Sequence, residues 1–288
     1  MWYVIEGGKL DTNKEQEGMQ KSVIEKDGVE IVFKILEAIK RVLKEDSEQK
    51  MPMCMKIKDS FVYNIIKEIV KNKKRSLIIS ITGESASGKT TFVQNSIKAY
   101  PSSLNGGIYT TINCDDYYLD MSKELEQCGS YEALFAAGYS FDTPDAINLE
   151  LMKQHLLDLK EGKDVRSPLY NFVTCESKPE GEVKKPALLI LNEGLYVLNE
   201  NVRDVADVKV YIYTPFEVIK ERWYKRAITR GKTGKAADMQ FENVNLTAQT
   251  YIRPTLEFAD IVLNGQVSPE YIAEFINKMF DEIKKALQ

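Results

Sequence analysis

From Ser76 to the C-terminus, short apolar runs alternate with longer amphipathic stretches. Strands are expected at 76–82, 108–113, 187–192, 207–213 and 260–263, and helices at 89–100, 144–161, 215–229, 238–258 and 268–286. Runs such as Leu188-Leu189-Ile190-Leu191 show no polar alternation, as befits strands buried on both faces. Strand and helix patterns in alternation predict an α/β fold, a parallel sheet with helices on both faces. The helix at 144 has a clear start signal, with Thr143 as N-cap, Pro144 at the first helical position and Asp145 suited to the helix dipole. Residues 1–75 read differently. A polar lead precedes two amphipathic helical patterns, one carrying Val32, Ile35, Leu36, Ile39, Val42 and Leu43, the other Phe61, Val62, Ile65, Ile66, Ile69 and Val70. Glu45 to Lys50 reads as a solvated link between them. The expected division is a helical N-terminal extension over 1–75 and one α/β domain over 76–288, the apolar stripes packing on that domain.

The chain has 288 residues, 43% hydrophobic and 28% charged, which is ordinary for a globular protein with a sizeable core. A net charge of −4 argues against a general nucleic-acid binder or a basic membrane-surface protein. No apolar run approaches the ~20 residues needed to span a bilayer. The segment Met1 to Glu6 lacks the basic and apolar regions of a secretory signal. Cys54, Cys114, Cys128 and Cys175 are scattered without C-x-x-C pairing, so reduced thiols and a cytoplasmic setting are expected. The single histidine, His155, lies in a helical pattern, which excludes a multi-histidine zinc site and disfavours a Ser-His-Asp triad.

The most specific chemistry lies after the first of these strands. Gly83-Glu84-Ser85-Ala86-Ser87-Gly88-Lys89-Thr90 has the form Gly-x-x-x-x-Gly-Lys-Thr between a strand and a helix that opens at Thr91, the context of a phosphate-binding P-loop. The glycines admit backbone shapes that a Cβ would block, and successive N–H groups with the helix N-terminus attract anionic oxygens. Lys89 reaches the β/γ-phosphates and the Thr90 hydroxyl suits Mg²⁺. A nucleoside triphosphate ligand follows, with ATP and Mg²⁺ as the expected pair.

A small-molecule kinase also needs a base near the acceptor hydroxyl, an acid near the metal and mobile cations. Asp115-Asp116-Tyr117-Tyr118 follows the strand at 108–113 and opens into the crevice where parallel sheets bind ligands; an ordinary turn aspartate is the competing reading. Glu193 ends the strand at 187–192 in the Walker-B manner, with Glu for Asp, the alternative being a solvated strand-end acid. Lys220 to Lys232 is strongly basic and meets Gly231, which suits either a lid over phosphates or a helix end with favourable charge.

In this order the motifs resemble the uridine kinase (uridine/cytidine kinase) family, within the wider uridine kinase and phosphoribulokinase group. The resemblance rests on Thr82 to Thr91, Asp115 to Tyr118, Phe141-Asp142-Thr143-Pro144-Asp145-Ala146, Ser167-Pro168-Leu169-Tyr170-Asn171-Phe172, Glu193-Gly194, Arg230-Gly231-Lys232 and Pro254 to Ile261, and covers about residues 76–265. It implies a P-loop NTPase fold and an ATP- and Mg²⁺-dependent kinase acting on the 5′-hydroxyl of a nucleoside, uridine or cytidine first, and it allows a homo-oligomer. By the same resemblance Asp115 is the general base, Asp142 holds the ribose hydroxyls, Tyr170 lines the nucleobase pocket, Arg222 and Arg230 contact substrate and phosphates, and Thr90 with Glu193 holds the magnesium shell. The chain departs from the family at Cys175 and Thr143, where histidines are usual, and at Lys225 and Lys232, where arginines are common. A thiol is a weak hydrogen-bond partner, so the Cys175 position offers the pyrimidine edge no strong donor. Two other readings stand beside this one: a kinase of the same group for another hydroxylated metabolite, such as a sugar phosphate or a different riboside, and a P-loop regulatory protein that responds to ATP.

Overall fold

The computed structural model describes residues 26–58, 76–99, 109–139, 141 and 143–287. The described chain opens with helix α1 (Lys26–Ser47) and strand β1 (Cys54–Ile57), and continues after residue 75 with β2 (Leu77–Thr82), α2 (Lys89–Ala99) and β3 (Tyr109–Asn113). Two short helices follow, α3 (Ser122–Cys128) and α4 (Tyr131–Ala136), then the longer α5 (Leu149–Lys160). Four short strands come next: β4 (Val165–Arg166), β5 (Leu169–Asn171), β6 (Glu176–Lys178) and β7 (Val183–Lys184). The remainder is β8 (Leu189–Glu193), β9 (Val208–Tyr213), α6 (Phe216–Thr229), α7 (Gly234–Thr247), β10 (Ile261–Asn264) and α8 (Pro269–Leu287).

The main sheet has the order β1-β10-β9-β2-β8-β3, parallel throughout except for β1, which pairs antiparallel with β10. Alternation along each strand sends neighbouring residues to opposite faces. Ile78, Ile112, Ile190, Tyr211 and Val262 join Met152, Leu156 and Leu159 of α5 in one buried cluster. Ile81, Leu191, Val210, Ile212 and Leu263 join Val93 of α2 and Ile272 of α8 in another. The sheet is thus covered by helices on both faces, as the alternating pattern predicts, which is also the P-loop NTPase arrangement that the resemblance implies.

The N-terminal segment belongs to this framework. Leu36, Ala38 and Val42 of α1 are buried, and α1 lies along α8 with ion pairs from Arg41 to Glu282 and from Lys278 to Glu45. The second expected stripe, Phe61 to Val70, lies outside the described residues. The segment is not helical alone, because β1 supplies the edge of the sheet. Its entry is held by Asp46, only 2% exposed, whose carboxylate accepts the N–H groups of Met53 and Cys54 at 2.8 Å each and the Tyr271 hydroxyl at 2.7 Å.

Two helix expectations are corrected. Pro144–Ala146 forms only a 3₁₀ turn, Thr143 makes no side-chain cap, and α5 starts at Leu149, where Asn148 accepts the Leu151 N–H at 3.0 Å. The cause is tertiary: the Ala146 carbonyl and the Asn148 N–H are taken by Leu119 and Tyr117, in a bridge between Tyr118 and Ile147. The helix expected at 238–258 starts at Gly234, ends at Thr247 and passes into a π turn (Ala248–Ile252) and a 3₁₀ turn (Arg253–Phe258). Pro254, without an N–H, cannot continue an α-helical ladder.

Candidate active site

The loop between β2 and α2 sits where parallel strands end. Gly83 has φ 153°, and a Cβ there would lie 2.5 Å from the Ile212 carbonyl oxygen, so no other residue lets the loop leave β2 this close to β9. Ala86 also adopts a positive φ, 65°. Inside the loop the Ser87 N–H donates to the Glu84 carbonyl, and the Ser87 carbonyl accepts the Thr214 hydroxyl at 2.8 Å. Gly88 leads into α2, which begins at Lys89 and carries Thr90 and Thr91 in its first turn. The Lys89 ammonium donates to the carbonyls of Gly83 and Glu84, at 2.9 and 3.0 Å. Burial depresses its pKa from 10.5 to about 8, against the pull of Asp115 and Glu193.

Two carboxylates face that lysine. Asp115 lies in a 3₁₀ turn (Cys114–Tyr117) directly after β3, its N–H held by the Asn113 side chain at 3.1 Å. Burial raises its pKa, while Lys89, Arg226 and Arg230 pull it down. Glu193 ends β8 and is in register with Asn113 of β3 and Ile81 of β2. Its Oε2 accepts the Thr90 hydroxyl at 3.3 Å; burial raises its pKa, with Lys89 and Thr90 opposing. Gly194 permits this convergence, since at φ 155° a Cβ would lie 2.1 Å from Cys114 Cβ. The next acid, Asp116, is pushed up to about 6 by burial, offset first by Lys184.

The cations come from α6. Arg222 donates to the Gly265 carbonyl at 2.9 Å, on the loop after β10. Arg230 caps α6 and is exposed, within electrostatic reach of Asp115. Between them Arg226 donates to Ser85 Oγ at 2.5 Å and also acts on Asp115 and Lys89. The motif resemblance points to Arg222 and Arg230 and not to Arg226, although spacing of four places all three on one helix face.

Tyr118, at the end of the turn that carries Asp115, belongs to an aromatic cluster. Tyr170 of β5 is buried, with ring centroids 5.1 Å from Tyr118 and 5.0 Å from Phe172, and Phe141 lies 6.4 Å from Tyr118. Cys175 closes the hairpin between β5 and β6 at φ 54°, its side chain buried, and its carbonyl accepts the Met121 N–H. Asp142 lies outside the described residues. Tyr118 and Phe172 were not singled out for this cluster; their aromatic character was the available signal.

Thr90 and Glu193 offer the hard oxygen ligands that Mg²⁺ prefers. Among the described residues no group of three His, Cys, Asp or Glu gathers as a metal cage, and Mg²⁺ uses one or two carboxylates with substrate phosphates rather than such a cage. Nor, among those residues, is any helix long and apolar enough to cross a membrane.

A model of the phosphoribulokinase / uridine kinase family matches residues 78–270. The chain is 33% identical over 189 residues to a protein named uridine kinase from Borrelia turicatae, covering 65% of this chain and 85% of that protein. It is 30% identical over 215 residues to a uridine kinase from Saccharomyces cerevisiae, covering 73% of this chain and 40% of that one. Among solved structures, phosphoribulokinase from Rhodobacter spheroides aligns with a TM-score of 0.45 at 22% identity, over 67% of this chain and 71% of that one.

Proposed function

The chain belongs to the phosphoribulokinase / uridine kinase family of ATP-dependent kinases, and from that premise we propose that it phosphorylates the 5′-hydroxyl of a nucleoside, uridine or cytidine. The observation that carries this reading is the meeting of Asp115, Lys89 and Glu193 beside the phosphate loop, at one end of the parallel sheet. A carboxylate beside the phosphate-loop lysine suits a base at the point of phosphoryl transfer.

In this mechanism the Gly83–Thr91 loop cradles the triphosphate of ATP with its N–H groups, and Lys89 leaves the loop carbonyls for the phosphate oxygens. Asp115 accepts the proton of the acceptor hydroxyl as it attacks; burial makes its carboxylate a stronger base, with the nearby cations opposing that rise. Arg226 and Arg230 stabilise charge on the transferred phosphoryl group. Thr90 and Glu193 would hold Mg²⁺, which when bound neutralises phosphate charge. Asp142 binds the ribose hydroxyls, and the nucleobase rests among Tyr170, Tyr118 and Phe172, with Arg222 bracing the donor side through Gly265.

Cys175 favours a second reading, in which the same machinery serves another riboside or a sugar phosphate. A buried thiol gives little discrimination between polar base edges. A steady-state screen of nucleosides and sugar phosphates with ATP decides between them. Turnover of uridine or cytidine well above all other acceptors is expected. Undetectable turnover of both, beside robust turnover of another acceptor, overturns the nucleoside assignment.

A further inference from the structure

One side chain in the phosphate loop has the wrong sign for its neighbourhood. The N–H groups, the helix N-terminus and Lys89 all favour an anion, yet the loop itself carries an acidic residue, Glu84. Its side chain is only 13% exposed, so water does not screen it freely.

Arg253 meets that carboxylate with both arms of its guanidinium. Nε donates to Oε1 at 3.0 Å and Nη2 to Oε2 at 2.9 Å, the bidentate geometry that lysine cannot reproduce. The arginine is itself held in place: Nη2 also donates to Asn245 of α7 at 2.7 Å, and the guanidinium carbon lies 5.8 Å from the Phe216 ring at the start of α6. The pair joins residues 169 positions apart. It ties the loop to the 3₁₀ turn that follows α7 and its π turn. Tyr211 of β9 faces the same pair, and its hydroxyl is pushed up by burial and then by Glu84. Among the described residues, Glu84 and Tyr211 are the titratable groups that act on Arg253.

We infer that Arg253 is a positioning residue for the donor site: it neutralises and anchors Glu84, so that an acidic phosphate loop accepts a triphosphate. The inference rests on reading Gly83–Thr91 as the donor loop. Without Arg253 the half-screened Glu84 carboxylate leaves an uncompensated negative charge on the loop that takes the phosphates. A pair that served only as mechanical glue would instead suffer whenever either partner is lost, and a second substitution would never help.

The test is the dissociation constant of ATP in excess Mg²⁺, measured by calorimetry on the full chain, with no acceptor present. Arg253→Met is expected to weaken ATP by roughly tenfold, the size of one uncompensated charge near a polyphosphate at the effective dielectric of a part-buried site. Adding Glu84→Gln to that variant should recover most of the loss. Arg253→Lys, which keeps the charge and loses the fork, should lose far less than Arg253→Met. The loss in Arg253→Met should also shrink at high salt. Thermal melts of all variants accompany the titrations, and if Arg253→Met does not fold, the lysine and double variants decide the matter. Wild-type affinity in Arg253→Met overturns the inference, and so does a double variant no tighter than Arg253→Met, or a lysine variant as weak as the folded methionine one. A wild-type protein that binds no ATP overturns the donor-loop reading itself, a distinct failure.

Discussion

The Thr90 hydroxyl donates to Glu193 Oε2 across 3.3 Å, joining the first turn of α2 to the end of β8. The two residues are brought together because β8 pairs in parallel with β2, the strand that feeds the phosphate loop. One is a neutral donor and the other a carboxylate whose pKa burial has raised. Both are oxygen ligands of the kind Mg²⁺ takes.

From this pair we predict that Glu193→Gln and Thr90→Ala each raise the Mg²⁺ concentration needed for half-maximal kinase activity, by about tenfold or more. Activity titrated with Mg²⁺ at fixed ATP checks this. Unchanged Mg²⁺ dependence in both variants would assign the metal to other groups.

Asp115→Asn should lower acceptor phosphorylation by roughly 10²–10⁴-fold while leaving the ATP dissociation constant within about twofold of the wild type. The amide keeps the shape and the partners near Lys89 but cannot take the proton. Steady-state rates and ATP binding, measured side by side, separate the two effects. A variant with full turnover would remove Asp115 from the role of base.

The depressed pKa of Lys89 makes ATP binding sensitive to pH. In the free protein Lys89 loses its proton as pH rises through about 8, whereas the ammonium is the form that attracts phosphate. ATP affinity should therefore fall above pH 8, with proton uptake on binding. Stability runs the opposite way for this group. Between about 8 and the ordinary 10.5 the unfolded chain binds more protons than the folded one, so this contribution to stability grows with pH across that window. Calorimetry in buffers of different ionisation enthalpy reads the uptake, and absence of uptake at pH 9 would contradict it.

The Asp46 junction is expected to matter for stability. Tyr271→Phe removes one hydrogen bond and should cost about 1 kcal/mol, whereas Asp46→Ala strands the buried N–H groups of Met53 and Cys54 and should cost about 3 kcal/mol. Denaturant unfolding checks both. Equal, negligible losses would show that the N-terminal segment rests on the sheet without supporting it.

Local pattern alone carried a good part of this protein. The sheet strands, the phosphate loop, the acids at Asp115 and Glu193 and the basic run in α6 depend on residues within a few positions of one another, where periodicity and motif spacing are legible. The same locality hid the rest. Thr143 has the features of a helix cap, but Tyr117 and Leu119 claim the backbone groups around Ile147, so the helix waits for Asn148. β1 becomes a strand because β10 offers it an open edge. Arg226 is chosen among the cations of α6 by where Ser85 and Asp115 fall, and Tyr118 and Phe172 meet Tyr170 only once the hairpin folds. Glu84 and Arg253 have no neighbouring residue to announce their pairing; charge compensation across 169 positions exists only when the chain has closed upon itself. Local order sets which reactive groups the chain carries. Tertiary structure decided which side chains share a site, because burial and contact set their charges and partners.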